Sequence, residues 1–336
     1  MPSSSTKPSV LLVGSLPHAH KEWKALSEHA DLKVFSDESR EEFYKKCKTE
    51  FQDVKAIIRT FKSKFFMGIF DEEVIEHLPS SVKFICHIGA GYETVNVDAC
   101  TKRGIRVANC PLAVDDATAD TGIFLMLGAF RRFNQGLFSL RERRWNHDCR
   151  QPSHDPEGKT LGILGMGGIG RTVAKRARAF DMNIIYYNRH PLNEKDAGGA
   201  KYVQFNELLA QSDVLYLSLP LNKHTHHIIG KEEFKKMKRG IIIVNTARGP
   251  VMDEEALVDA LKEGVVYSAG LDVYENEPQV HPGLIENPDV ILLPHLGTNS
   301  LETQHKMETF SLENLKSGVV NDKLITPVPE QRDMQL

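Results

Sequence analysis

Thr160-Leu-Gly-Ile-Leu-Gly-Met-Gly-Gly-Ile-Gly-Arg171 places Gly165, Gly167 and Gly170 in the spacing GxGxxG. A chain with 24 glycines meets that spacing by chance, so its placement decides the matter. Leu161, Ile163 and Leu164 before it read as a buried strand. Ile169, Val173, Ala174, Ala177 and Phe180 after it recur at helical spacing. In such a strand–turn–helix the first glycine permits the tight turn. The second admits a pyrophosphate close to the backbone, and the third lets helix and strand pack closely. The helix N-terminus then offers unpaired N–H groups and a positive dipole end to the phosphates. These residues predict a dinucleotide-binding turn.

The second strand, Asn183-Ile-Ile-Tyr-Tyr187, predicts which dinucleotide. Its end is where NAD enzymes carry Asp or Glu for the ribose hydroxyls, about 20 residues past the glycines. This chain has Asn188, then Arg189 and His190. No carboxylate stands there to repel a 2′-phosphate, and the planar fork of Arg189 suits one. NADP(H) is the expected cofactor, with NAD(H) used more weakly.

Bulk properties narrow the classes. A chain of 336 residues is long for a single core, so two domains are expected. Hydrophobic and charged contents of 41% and 26% are those of an ordinary globular protein. A net charge of −3 gives no reason to expect nucleic acid. The basic residues Arg131, Arg132, Arg141, Arg143, Arg144 and Arg150 read as a solvated or subunit-facing surface. Five scattered cysteines (Cys47, Cys86, Cys100, Cys110, Cys149) without a CxxC pair suit free, inert thiols in a reducing compartment. His147, Cys149, His154 and Asp155 match no standard zinc spacing and read as a surface loop, and no metal is expected. No apolar run reaches membrane length. Met1-Pro-Ser-Ser-Ser-Thr-Lys-Pro8 lacks a signal-peptide core, and Met334-Gln-Leu336 is not a peroxisomal tail, so a cytoplasmic protein is expected.

The first third alternates strand and helix without a phosphate-type glycine turn of its own. Strands are predicted at Val10–Val13, Val54–Ile58 and Val82–Cys86, with helices around Lys21–His29 and after a capping box of Ser39 and Glu42. From Ala117 one long helix is predicted toward Trp145. Beyond the glycine turn come strands at Val214–Leu219, Ile241–Asn245, Val266–Val273 and Val290–Leu293. A helix at Glu254–Lys262 is started by Asp253 and stopped by Gly264. Alternating order predicts doubly wound parallel sheets. A last helix, Glu302–Val319, would return the chain to the first domain. The cofactor domain (116–302) is then an insertion into a substrate domain (1–115 plus 303–336), with substrate expected in a cleft between them.

Three strand ends downstream of the glycines carry polar residues, where an open α/β sheet places its ligands. Arg248 lies in Ile243-Val-Asn-Thr-Ala-Arg-Gly-Pro250. Asp272 and Glu277 lie in Gly270-Leu-Asp-Val-Tyr-Glu-Asn-Glu-Pro278, and His295 in Leu292-Leu-Pro-His-Leu-Gly297. Reducing a ketone with a nicotinamide needs a proton donor and a group to orient the substrate. Arg248 can clamp a carboxylate bidentately, each charged hydrogen bond contributing roughly 1.5–3 kcal/mol. His295 suits proton donation near neutral pH, and a carboxylate beside it would favour the imidazolium. Each is a weak signal singly; their co-occurrence behind a dinucleotide turn is the argument.

Gly162–Arg171, Asn245–Gly249, Gly270–Pro278 and Pro294–Gly297 closely resemble the D-isomer-specific 2-hydroxyacid dehydrogenases, over about residues 50–325. Within that family the chain looks most like fungal-type, NADPH-dependent glyoxylate/hydroxypyruvate reductases. The resemblance implies a Rossmann cofactor domain inserted into a flavodoxin-like substrate domain. It implies Arg248 as the orienting arginine, His295 as acid/base and Glu277, not Glu275, as its partner. It further implies Asp272 at the nicotinamide end, and Ala90 and Gly91 as backbone receivers of the substrate carboxylate. Met166, Gly168, Ile169, Pro220, Thr225, Thr246 and Gly297 complete the residues expected at the cofactor, with the glycines, Asn188 and Arg189. A homodimer pairing through cofactor domains is also implied. Asn188-Arg189 departs from the acidic residue of the family's NAD-dependent members. Ala119-Asp120-Thr121 replaces Ala-Glu-His or Ala-Glu-Thr conservatively.

The expected activity is NADPH-dependent reduction of glyoxylate or hydroxypyruvate to the D-2-hydroxyacid. The alternative within the same mechanism is a bulkier branched-chain or aromatic ketoacid. Phe61, Phe65, Phe66, Met67 and Phe70 bear on that choice, read first as core and second as substrate lining. A dinucleotide-sensing co-repressor that binds peptides is the alternative from another class.

Overall fold

A computed structural model describes residues 7–147, 149 and 151–334, which divide into two compact units, 7–114 with 299–334, and Asp115–Thr298. The terminal runs Met1–Thr6 and Gln335–Leu336, and Arg150 of the basic stretch, lie outside the described residues.

The first unit holds five parallel strands, β1 (Ser9–Val13), β2 (Asp31–Phe35), β3 (Val54–Arg59), β4 (Phe84–His87) and β5 (Arg106–Ala108), in the order β2-β1-β3-β4-β5. That is the flavodoxin-like doubly wound order. Its core packs Leu11, Val13, Phe35, Phe43, Ile57, Phe70, Ile85 and Val107. The helix Leu301–Asn321 packs against β3 and β4, with Gly318 beside the Phe84 ring. The aromatic segment splits: Met67 and Phe70 are buried, Phe66 packs on the core, and Phe65 is 72% exposed. The core reading thus fails at Phe65, an exposed ring with the Lys64 ammonium 5.3 Å from its centroid.

The second unit holds seven strands: β6 (Thr160–Leu164), β7 (Asn183–Tyr187), β8 (Lys201–Tyr202), β9 (Val214–Leu217), β10 (Ile241–Asn245), β11 (Val266–Leu271) and β12 (Ile291–Leu292). All pairs are parallel, in the order β12-β11-β10-β9-β6-β7-β8. Strand direction of growth reverses between β6 and β9, the switch point at which such sheets bind ligands. Successive residues face opposite sides. Leu215 and Leu217 join one core with Ile243, Leu257 and Leu271, whereas Val214 and Tyr216 join another with Val244, Ile163 and Val173. Both faces are therefore covered, as a parallel sheet requires.

The predicted long helix is two. Asp115–Arg131 and Phe133–Arg141 are separated by Arg132, whose φ of +46° breaks the helical run. Tertiary contacts account for the break. The Arg132 guanidinium lies 3.7 Å from the Tyr267 ring centroid, donates to the Tyr267 carbonyl at 3.2 Å and pairs with Asp289 at 3.3 Å. The helix Glu254–Lys262 has the predicted limits, with the Asp253 carboxylate accepting from the Ala256 N–H at 3.0 Å. Among the described residues, no helix is long and apolar enough to cross a membrane.

Candidate active site

The turn after β6 divides its glycines by task. Gly165 has φ +101°, and a Cβ there would lie 2.3 Å from the Ser218 carbonyl oxygen. A Cβ at Gly170 would lie 2.4 Å from the Gly165 oxygen, so only glycine lets helix Gly168–Ala177 sit this close to β6. Gly167 differs: a Cβ there meets nothing within 4 Å, and as N-cap it supplies no side-chain hydrogen bond. Gly168 is flanked by the Asp115 carboxylate. Gly167 thus leaves open backbone at the N-terminus of a ten-residue helix, a cradle into which a pyrophosphate fits. The residues present therefore suit a dinucleotide.

Asn188 has a more specific place than its sequence position shows. Its side-chain oxygen accepts from the Met166 N–H at 2.7 Å, tying the end of β7 to the glycine turn. Arg189 beside it is exposed, and among the described residues no hydrogen bond or ion pair holds its guanidinium. Pro220 and Thr225 meet each other, the Thr225 hydroxyl donating to the Pro220 carbonyl at 2.6 Å. Thr246 is buried with its hydroxyl 2.5 Å from that of Tyr216.

At the other half of the sheet, His295 follows β12 and Glu277 follows β11. The ring Nδ1 of His295 lies 3.0 and 3.1 Å from the two Glu277 oxygens. An ionised carboxylate only accepts, so Nδ1 carries the hydrogen donated to Glu277. Side-chain exposures of 32% and 23% leave the pair partly solvated. Glu277 also accepts from the Tyr274 N–H at 3.2 Å, which fixes the carboxylate to its own loop.

Asp272, expected at the nicotinamide end, grips the histidine loop. Its two oxygens accept from the Leu296 and Gly297 N–H groups, each at 2.7 Å, and its carbonyl accepts from the His295 N–H at 2.8 Å. Burial raises its carboxyl above the usual range, and those two backbone donors oppose the rise. His295 itself sits at φ +56°, a conformation that an L-residue holds only when its surroundings impose it. The Asp272 clamp is that imposition.

Arg248 is half-buried after β10, its guanidinium donating to the Ala247 carbonyl at 2.7 Å. Asn245, wholly buried, shapes this turn by donating to the Arg248 carbonyl at 3.0 Å and accepting from the Ala247 N–H at 2.9 Å. The next residue, Gly249, abuts the Tyr274 backbone so closely that any Cβ would fall 1.9 Å from its carbonyl carbon. Glu254 and Glu275 lock the same junction: each side chain accepts from the other's backbone N–H, at 2.5 and 3.4 Å. The arginine turn and the Asp272–Glu277 loop are thereby one assembly. Ala90 and Gly91 lie in the first unit after β4, where the Asn109 amide donates to the Ala90 carbonyl at 2.6 Å. Asn245, Tyr274 and Glu254 escaped the sequence reading as supports, because their partners are backbone atoms. Asn245 alone left a signal, lying in the Asn-Thr-Ala-Arg-Gly run already singled out.

The profile of D-isomer specific 2-hydroxyacid dehydrogenase, NAD binding domain, matches residues 123–297. A Schizosaccharomyces pombe protein named only to the level of 2-hydroxyacid dehydrogenase is 70% identical over 328 residues, 98% of each chain. The 4-methyl-2-oxopentanoate reductase A of Aspergillus oryzae is 54% identical over 97% of this chain and 99% of its own. The crystal structure of a glyoxylate reductase from Paecilomyes thermophila superposes with TM-score 0.95 at 54% identity, covering 99% of this chain and 100% of that one. On this agreement of sequence, fold and strand-end residues, the chain belongs to the D-isomer-specific 2-hydroxyacid dehydrogenases.

Proposed function

We propose that the enzyme reduces a small 2-ketoacid, glyoxylate or hydroxypyruvate, to the D-2-hydroxyacid with NADPH in preference to NADH. The observation that carries the chemistry is the His295–Glu277 pair at the carboxyl edge of the sheet, braced by Asp272. The turn Gly165–Gly170, with Met166, Gly168 and Ile169, holds the cofactor's pyrophosphate, and Pro220, Thr225, Thr246, Asp272 and Gly297 line its remaining length. When bound, the dinucleotide supplies a hydride for the carbonyl carbon. His295 donates the Nε2 proton to the carbonyl oxygen, and Glu277 at Nδ1 stabilises the imidazolium before transfer. Arg248 orients the substrate carboxylate through charged hydrogen bonds, and the Ala90 and Gly91 amides receive it. NADPH preference is supported by the neutral Asn188, already bonded to Met166, and by the exposed Arg189 fork.

The enzyme pairs as a homodimer through its cofactor-binding unit. Phe124, Phe133, Leu137, Phe138 and Leu140 on two successive helices are all about half exposed, with Trp145 and Ile285 more so. Four buried free thiols, among them Cys47, whose pKa burial pushes up to about 12, suit a reducing, cytoplasmic compartment.

The test is oxidation of NADPH by the purified enzyme with glyoxylate, hydroxypyruvate, 2-ketoisocaproate and phenylpyruvate, repeated with NADH. Highest kcat/KM on the two small acids, larger with NADPH, is the expected result. Highest kcat/KM on 2-ketoisocaproate or phenylpyruvate would replace the proposed substrate, and equal use of NADH would remove the proposed cofactor preference.

A further inference from the structure

Beside the acid/base pair, the second unit gathers another set of ligating side chains. His226 and His227 lie in the loop between β9 and β10, and Glu275 in the loop after β11. One ligand atom from each lies within 4.8 Å of the other two. His227 Nε2 is already 2.5 Å from a Glu275 oxygen. The His226 ring stacks on that of His227, centroids 4.1 Å apart and planes 27° from parallel.

The supports are built. The other Glu275 oxygen accepts from the Glu254 N–H at 3.4 Å, and the Glu275 backbone N–H is held by Glu254 in return. His227 is set at φ +47°, its N–H donating to the Pro250 carbonyl at 2.8 Å. An outer shell that orients ligands in this way is characteristic of metal sites. An ion pair between His227 and Glu275 accounts for those two residues alone. It has no part for His226, an exposed imidazole kept against its neighbour.

We propose that His226, His227 and Glu275 bind one divalent cation of the borderline class, zinc being the representative, with water completing the coordination. Two imidazoles and one carboxylate suit zinc, nickel or copper, whereas calcium and magnesium take oxygen ligands. Zinc holds such ligands at about 2.0–2.2 Å, so the present spread must close slightly. The exposed His226 side chain closes the gap by rotating, while the His227–Glu275 contact, now 2.5 Å, opens to the roughly 3.3 Å that tetrahedral ligands at such bond lengths require. The site is independent of which ketoacid the enzyme reduces.

The experiment is calorimetric titration of untagged, metal-stripped protein with zinc chloride, for the wild type, His226→Ala, Glu275→Gln and Cys149→Ser, alongside a calcium titration. One saturable zinc per chain is expected, weakened by about tenfold or more in His226→Ala and Glu275→Gln. The apo melting temperature of His226→Ala should stay close to the wild type, since the exposed ring stacks on His227 and, among the described residues, makes no hydrogen bond. Zinc binding that survives His226→Ala, that disappears instead in Cys149→Ser, or that calcium equals would overturn the proposal. Absence of saturable zinc binding by the wild type would overturn it too.

Discussion

The two units start alike and finish differently. In each, the first strand ends at a glycine with positive φ, Gly14 at +112° and Gly165 at +101°, and a helix follows. In the first unit the N–H groups of His18 and Ala19, just before helix His20–Ala25, both donate to the Glu308 carboxylate, at 2.9 and 2.7 Å. The chain has supplied its own buried anion there. In the second unit the corresponding helix begins at Gly167 with no side-chain cap and open space at its Cα. The parallel α/β scaffold alone therefore does not make an anion site. What matters is whether the helix entrance is filled from within or left for a ligand.

The largest expected effect lies outside that contrast and fixes its chemical end-point. His295→Ala should lower kcat by roughly 10²–10⁴ with the fold intact by circular dichroism. Near-normal turnover in a folded variant would remove His295 from proton transfer. Next, Gly167→Asp should convert the open entrance into a filled one. Its Cβ meets nothing, so the melting temperature should hold. NADPH affinity measured by fluorescence titration should fall by about 10–100-fold, the size of one or two lost charge-assisted bonds. Unchanged affinity, with Gly167→Ala as control, would break the comparison.

The reverse change follows. Glu308→Ala leaves two N–H groups without their acceptor and should cost about 1–3 kcal/mol in urea unfolding, with NADPH affinity unaffected. A loss of cofactor binding of the same size as in Gly167→Asp would show that the two entrances are not independent. The smallest effect is expected from Asn188→Asp. The new carboxylate can still accept from the Met166 N–H, so stability should hold. The NADPH-to-NADH ratio of kcat/KM should fall by up to about tenfold through repulsion of the 2′-phosphate. An unmoved ratio would assign selectivity elsewhere.

How much was legible in the sequence follows from the range of each interaction. The glycine turn, the strand Asn183–Tyr187, the helix Glu254–Lys262 and the His295–Glu277 pairing were readable, because periodicity, caps and short motifs act locally or are recognisable as sets. Asp272 was singled out, but its hold on the histidine loop was not readable: its partners are backbone amides 24 and 25 residues away, which leave no trace in side-chain type. The break at Arg132 was invisible for the same reason, since Tyr267 and Asp289 hold it across more than 130 residues. Glu308 is the extreme case, a helix cap delivered from 290 residues downstream. Local chemistry announces itself in sequence, whereas a backbone atom recruited from afar does not.

The positive φ of His295 has a consequence for anyone evolving this enzyme. The residue proposed to donate the proton is also one whose backbone would relax if it were something else, since glycine holds that conformation without the steric cost of about 1–2 kcal/mol. Libraries ranked by heat tolerance alone would favour survivors that have stopped working at this position. Selection for robustness and selection for turnover pull in opposite directions here, so any thermostability campaign needs an activity gate from its first round.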